Sequence, residues 1–218
     1  GSLKTAKNND KYSWIKAPRY DGEAVEVGPL SCMLVNYAHG NEKVQKAVGD
    51  FLKRTGLPVG ALFTTLGRTA ARMLQTKLVS DNAIITFNSL IENLKTDDST
   101  YTKFEIDPEK EYQGRSILEV PRGMLSHWVR IKNGLIENYQ AVVPTTWNAG
   151  PKDMNGKIGP YEASLIGLKL EDPKKPLEVI RVIHSFDPCM ACSVHVMDIK
   201  GQELSQYKVN PLGSGAAC

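Results

Sequence analysis

Residues 128–139 have the sequence WVRIKNGLIENY. Two runs rich in β-branched and aromatic residues, 128–131 and 135–139, flank the pair Asn133-Gly134. An Asn-Gly pair accepts positive φ at both central positions of a two-residue turn, so this stretch predicts a β-hairpin. We therefore expect a small sheet around this turn.

The sequence before the hairpin favours long helices. Asn41 is a suitable N-cap for a helix that ends near Gly56, and a longer helix is predicted from about Thr64 to Leu94, with a break near residues 80–82. Loops are predicted for 3–36 and 95–110, and a short helix near 161–167. The apolar stripe of the long helix is assigned to a bundle core: Leu66, Ala70, Met73, Leu74, Leu78, Ile84, Ile85, Phe87, Leu90 and Ile91. The predicted fold class is α+β, a long-helix bundle with a small β-sheet.

Composition narrows the class of protein. The 218 residues are 41% hydrophobic and 23% charged, as is usual for a globular chain. A net charge of +3, without basic runs interleaved with aromatics, argues against a nucleic-acid partner. No apolar stretch reaches the roughly 20 residues of a membrane span, and the first residues do not resemble a signal peptide. We expect one domain over 1–212, followed by a flexible tail or expression remnant at 213–218.

The densest chemistry lies near the end of the chain, at Asp187-Pro188-Cys189-Met190-Ala191-Cys192-Ser193-Val194-His195. Two thiolates three residues apart can reach one metal from a single turn, and His195 is expected to continue that turn. Soft thiolates select zinc, nickel, copper or iron. A structural zinc needs four protein ligands, and no second Cys-x-x-Cys occurs. A thioredoxin-like βαβ context is also missing. A lone Cys-x-x-Cys leaves a metal or redox role and the absence of one equally open, and the flanking Asp187-Pro188 and His195 favour such a role only moderately.

Five further motifs occur in order along the chain. They are Pro18-Arg19-Tyr20-x-Gly22 with Glu26-Val27-Gly28-Pro29-Leu30, Thr65-Leu66-Gly67-Arg68-Thr69-Ala70, Glu119-Val120-Pro121-Arg122-Gly123-x-Leu125-x-His127-Trp128, Val143-Pro144-Thr145-Thr146-Trp147-Asn148 and Gly159-Pro160-Tyr161-Glu162-Ala163. With the cysteine motif, they resemble the second half of nickel–iron hydrogenase large (catalytic) subunits over about 14–209. They look most similar to the membrane-associated, H2-oxidising respiratory branch. The resemblance implies reversible oxidation of H2 to protons and electrons, which pass to an iron–sulfur small subunit.

The resemblance also implies a nickel–iron centre whose iron carries carbon monoxide and cyanide. Cys189 matches a terminal nickel ligand, and Cys192 matches the ligand that bridges nickel and iron. His195 matches the residue that binds magnesium or a similar divalent ion. Arg122 is expected beside the open metal site and a cyanide, with Asp187 orienting it.

A second group of residues is expected to bind the cofactor. Thr145 matches a hydrogen-bond donor to a cyanide, and Pro121, Val143 and Pro144 belong to the same set. Because H2 is a very weak acid, its heterolytic cleavage needs a Lewis acid and a nearby base. The thiolate of Cys189 is placed to be that base. A guanidine is nearly always protonated, so Arg122 is interpreted as a positioning and electrostatic partner rather than as the base, although the resemblance also allows it to act as the base.

Two departures from the family pattern define the remaining expectations. The family's other two cysteine ligands are absent here, so they are expected from the missing N-terminal half of the large subunit. Residues 196–218 follow His195, the last residue of the mature family protein. Residues 196–212 are therefore predicted to be a cleavable extension of a precursor, with a maturation endopeptidase and nickel-insertion factors as partners.

The location follows from the same resemblance. We expect the finished protein on the periplasmic side of the membrane, co-exported with the small subunit, and the precursor in the cytoplasm. One alternative is an inactive fragment or precursor that serves only as a substrate for maturation factors. Another is the homologous, metal-free quinone subunit of a respiratory complex, against which Cys189, Cys192 and His195 argue.

Several other candidate residues are interpreted as structural. Cys32 is expected to be a small buried hydrophobe, given its apolar neighbours. His127 and Trp128 are expected to pack rather than to act in catalysis, and His39 and His184 are also assigned structural roles.

Overall fold

The computed structural model describes residues 13, 15–188, 192–197 and 203–209. The chain divides into two compact units. The first holds the described residues within 1–28, 119–125 and 142–218, and the second holds residues 29–118 and 126–141.

The second unit begins with three helices, whose ends are set by specific caps. They are α1 (Pro29–Ala38), α2 (Glu42–Thr55) and α3 (Thr65–Leu94), with a 3-10 helix at Val59–Leu62 before α3. The side chain of Asn41 accepts a hydrogen bond from the Val44 amide at 3.2 Å, which confirms the predicted N-cap. Gly56, with φ 69°, ends α2 in the left-handed conformation that glycine adopts without strain. The Thr64 hydroxyl caps α3.

These helices share one apolar core. Its buried members are Leu30, Met33, Val44, Val48, Leu62 and Ala71, with Leu74 and Leu78 packed against it. Ala71, Leu74 and Leu78 follow helical spacing along one face of α3. The first half of α3 is therefore held by the two shorter helices.

Three helix predictions were wrong in part. The predicted loop at 3–36 contains the start of α1, because Pro29 occupies the first helical position, where its missing N–H costs nothing. Helix α3 runs through residues 80–82 without a break. The stripe assigned to the core is largely exposed, with Met73 67% and Phe87 61% exposed. At 1.5 Å per residue α3 is about 45 Å long and α2 about 21 Å, so α2 cannot cover it all.

Three strands follow in the antiparallel order β1-β2-β3. They are β1 (Tyr112–Val120), β2 (Gly123–Lys132) and β3 (Leu135–Val142). Between β2 and β3, Asn133 and Gly134 have φ of 52° and 72°, as the predicted two-residue turn requires. The hairpin is confirmed, and with it the α+β class.

The described residues of the first unit form three short helices and a pair of strands. They are α4 (Pro144–Asn148), α5 (Pro160–Leu165), α6 (Leu177–Ser185), β4 (Cys192–Met197) and β5 (Glu203–Val209). Strands β4 and β5 are antiparallel, and His195 pairs with Gln206. The prediction that His195 continues a helical turn was wrong, because alternation of Val194 and Val196 with polar residues favours a strand. Among the described helices, none combines the length and hydropathy needed to cross a bilayer.

Candidate functional site

Arg122 and Asp187, both predicted site residues, are in direct contact. Arg122 lies in the turn between β1 and β2, and Asp187 follows α6. The Arg122 Nε donates to the Asp187 backbone carbonyl at 3.0 Å and lies 3.2 Å from its carboxylate Oδ2. Nη2 lies 3.5 Å from Oδ1. Both side chains are about 40% exposed, so the pair remains open on one side.

Asp187 has an unusual backbone conformation. Its φ is 54°, in the left-handed region that residues other than glycine rarely adopt. Its amide donates to the carbonyl of His184 at 2.9 Å, which closes the end of α6. The ring of Phe186 packs against Tyr161 of α5, with centroids 4.7 Å apart. Asp187 therefore directly follows a helix end that is held by packing and hydrogen bonding, and it immediately precedes Pro188 and the predicted ligand Cys189.

On the other side, two glycines bring backbone segments close to Arg122. A Cβ atom at Gly123 would lie 2.7 Å from the Gly28 nitrogen and 2.7 Å from Val27 Cγ2. A Cβ atom at Gly28 would lie 3.1 Å from the Arg122 carbonyl oxygen. Both glycines have φ of 128°, a conformation that side chains disfavour. The backbone around Arg122 is thus packed directly on the backbone of Val27 and Gly28.

The predicted cofactor-binding loop 143–148 forms the start and body of α4. Val143 is its N-cap residue and Pro144 its first residue. Thr145 is 4% exposed and Asn148 is 2% exposed. The Asn148 amide bonds both backbone groups of Val27: Oδ1 accepts from the amide at 2.9 Å, and Nδ2 donates to the carbonyl at 2.8 Å.

A second polar network in the same unit fixes residues 18–23. The Arg19 Nε donates to Asp153 Oδ2 at 2.7 Å, and its Nη2 donates to the carbonyls of Pro151 and Lys157. Burial opposes ionisation of Asp153, but hydrogen bonds from the amides of Lys157 and Asn155 and from Arg19 outweigh it and lower the pKa of that carboxyl. This network holds the chain that leads to Val27.

The predicted metal ligands lie at the end of the described chain. Cys189 is outside the described residues, as are Lys200-Gly201 and residues 213–218. Cys192 and His195 lie on β4, and their backbone alone is described. No cluster of three or more histidine, cysteine or acidic side chains occurs among the side chains that are described. Two cysteine thiolates suit a soft metal such as nickel or iron but make only half of a four-thiolate site.

The remaining candidate residues have ordinary surroundings. Cys32 lies on α1, is in no disulfide with a described residue, and is half-buried rather than buried, since that helix turns its Met33 side inward. His127 Nδ1 is hydrogen-bonded to the hydroxyl of Tyr139, and the two rings meet edge to face. Trp128 is 36% exposed. His127 thus has a hydrogen bond as well as a ring contact, and Trp128 is exposed, so its predicted packing role is not confirmed.

Sequence reasoning assigned no role to Asn148, Gly28 or Gly123. Each of the three lies inside one of the sequence motifs, and the two glycines were the residues that pointed to a close backbone contact. Glycine next to a functional residue often marks a close backbone approach. The partner across that approach, Val27, lies about a hundred residues away and could not be inferred from spacing.

The nickel-dependent hydrogenase family model matches residues 2–195. The large chain of a quinone-reactive Ni/Fe-hydrogenase from Wolinella succinogenes is 64% identical over 212 residues, which cover 97% of this chain and 37% of that relative. The hydrogenase-2 large chain of Escherichia coli K12 is 49% identical over 209 residues, with 93% and 37% covered. The chain thus spans little more than a third of the curated relatives it matches.

Solved structures agree with the sequence relatives. The reduced Ni-Fe-Se hydrogenase from Desulfovibrio vulgaris Hildenborough superposes with a TM-score of 0.68 at 33% identity, covering 83% of this chain and 37% of that one. A Ni-Fe-Se hydrogenase from Desulfomicrobium baculatum gives a TM-score of 0.64 at 35% identity, covering 82% and 36%. This chain belongs to the nickel-dependent hydrogenase family and matches the C-terminal part of its large subunit.

Proposed function

We propose that this chain supplies the C-terminal half of the active site of a nickel–iron hydrogenase, which oxidises H2 reversibly to protons and electrons. The contact between Arg122 and Asp187 carries the proposal, because it places a guanidinium beside the segment that leads into Cys189. The other two thiolate ligands come from the N-terminal half of the large subunit. Electrons leave through an iron–sulfur small subunit.

The proposed roles are those that the family motifs imply for the matching residues, and the chemistry of each side chain supports them. Cys189 and Cys192 hold the nickel–iron centre, which supplies the Lewis acidity for H2 cleavage when bound. The Cys189 thiolate accepts the proton. Arg122 presents its positive charge to the open site. Its Nε and Nη2 are engaged by Asp187, which fixes the guanidinium beside the segment that precedes Cys189.

The cofactor's diatomic ligands are assigned to a second set of residues. Pro121, Val143, Pro144 and Thr145 would bind around the carbon monoxide and cyanide of the iron, and the Thr145 hydroxyl would donate to a cyanide. Thr145 is buried, where a donor is not diluted by water. His195 binds a magnesium or similar divalent ion.

The proposed location is the periplasmic side of the membrane. The names of two relatives, a quinone-reactive hydrogenase and the uptake hydrogenase of Rhizobium leguminosarum, support a membrane-associated enzyme that consumes H2. The large subunit is exported together with its small subunit, and the precursor stays in the cytoplasm.

A second candidate function applies to the chain before maturation. Strand β5 lies beyond His195 in the sequence and pairs with β4, so residues past the expected new terminus take part in an antiparallel strand pair. We propose that 196–212 form a cleavable extension. In this state the chain is inactive and is the substrate of nickel-insertion factors and an endopeptidase.

Arg122→Lys in the complete enzyme tests the main proposal. Lysine keeps the charge but cannot bond Asp187 through two guanidinium nitrogens. We expect H2 turnover to fall by about 100-fold or more, with nickel and iron content unchanged. Arg130→Lys is the matched control, because Arg130 is similarly exposed and pairs with Glu137 on the sheet. Wild-type turnover of Arg122→Lys at full nickel loading contradicts the proposal.

A further inference from the structure

Asn148 makes an unusual pair of hydrogen bonds for a side chain at the end of a short helix. It is almost fully buried, and its amide satisfies both the N–H and the carbonyl of Val27. Because a buried backbone group without a partner is unfavourable, this two-point contact fixes the course of the chain at Val27. No other described side chain bonds both groups of that residue.

The segment that Asn148 holds is the one on which Arg122 rests. Val27 and Gly28 lie against Gly123, close enough that a methyl group could not be inserted. The Arg122 carbonyl oxygen would lie 3.1 Å from a Cβ atom added at Gly28, so the two backbones meet at the same contact. The Arg122 backbone is therefore held by Val27 and Gly28, while the guanidinium is held by Asp187.

We infer that Asn148 is a positioning residue for Arg122. Its amide fixes Val27 and Gly28, and that backbone sets how far the Arg122 side chain reaches toward Asp187. The inference rests on the proposed function of Arg122 and adds to it a residue, Asn148, that was not among the predicted site residues. Displacing an oriented group by about 1 Å can lower a rate by roughly 100-fold, so an indirect support of this kind has a measurable effect.

Asn148→Asp in the complete enzyme is the test. The substitution has the same shape and keeps the acceptor for the Val27 amide, but it places a carboxylate oxygen against the Val27 carbonyl. We expect kcat for H2 oxidation to fall roughly 10–100-fold at neutral pH, with KM and nickel content unchanged. In a crystal structure, the Arg122 Nε should move away from the Asp187 carbonyl by more than about 0.5 Å.

The pH profile gives an independent readout. When the introduced carboxyl is protonated, it can again donate to the Val27 carbonyl, so the kcat deficit relative to wild type should shrink as the pH falls. Asn36→Asp is the matched control, because Asn36 also donates from Nδ2 to a backbone carbonyl, that of Cys32, at 2.9 Å. It should leave kcat and the pH profile unchanged.

Each outcome bears on the inference. If Asn148→Asp lowers kcat but leaves Arg122 in its wild-type position, the inference is overturned. It is also overturned if the variant leaves both kcat and the Arg122 position unchanged. A displaced Arg122 with wild-type kcat supports the positioning role and contradicts the proposed function of Arg122. If the Asn148→Asp enzyme fails to take up nickel, the test uses Asn148→Ser instead, since a serine hydroxyl can restore one of the two hydrogen bonds to the Val27 backbone. An Arg122 geometry and kcat equal to wild type in Asn148→Ser overturn the inference.

Discussion

Gly123→Ala should destabilise the chain because of the close backbone contact beside Arg122. The new Cβ would lie 2.7 Å from both the Gly28 nitrogen and Val27 Cγ2, and the residue would keep a φ of 128°. Overpacking of this kind costs about 1–3 kcal/mol, and a strained φ costs about 1–3 kcal/mol. Alanine also lowers the conformational entropy of the unfolded chain, which stabilises the folded state by about 0.4–1 kcal/mol. The expected net loss is about 3 kcal/mol, or roughly 6–12 °C in Tm for a chain of this size.

Thermal unfolding followed by tryptophan fluorescence measures this loss, since Trp147 is buried in the same unit. Gly22→Ala is the matched control, because Gly22 has φ 74° but no atom within 4 Å of an added Cβ. The control carries only the backbone cost of about 1–2 kcal/mol, less the same return from the unfolded state. If Gly123→Ala lowers Tm no more than Gly22→Ala, the close approach of Gly123 to Val27 and Gly28 is refuted.

Three further outcomes are expected. Arg19→Lys should lower the free energy of unfolding by about 1–3 kcal/mol, because the carbonyls of Pro151 and Lys157 lose their buried donor. Urea denaturation measures this free energy, and an unchanged midpoint of unfolding argues against the network. The folded-state pKa of Asp153 is depressed, so its contribution to stability is present above about pH 4 and is lost as pH falls through the folded value. Asp153→Asn should accordingly flatten the acid limb of a plot of Tm against pH, and an unaltered limb rules this out. The intact mass of the large subunit from active enzyme should correspond to a chain that ends at His195. A mass that corresponds to a chain ending beyond His195 contradicts the cleavable extension.

The sequence predicted local structure well where a single residue type dictates it. Asn133 and Gly134 accept positive φ, and Asn41 can cap a helix, so the hairpin and α2 followed from short-range chemistry. Pro29 misled the loop prediction, since the same residue can interrupt or begin a helix. The outcome depends on whether it falls at the first turn, which spacing alone did not decide.

The candidate site was predictable only as far as its motifs reached. Arg122 and Asp187 were named from a resemblance, and the structure brings them together; their catalytic role stays a prediction. The packing of Gly123 on Gly28 depends on tertiary contact between segments distant in sequence. The burial of α3 was overestimated because periodicity identifies an apolar face but not the partner that covers it.

The uncovered half of α3 makes protein concentration an experimental variable. The exposed side chains of Ile84, Phe87 and Ile91 lie three and four residues apart, so they form one continuous apolar strip along successive turns. A strip of this kind lowers colloidal stability, because contact between strips on different molecules releases water from both. Preparations of the isolated chain should therefore scatter more light as they are concentrated. Replacing Phe87 with lysine should raise the concentration at which scattering begins, without altering the residues around Arg122.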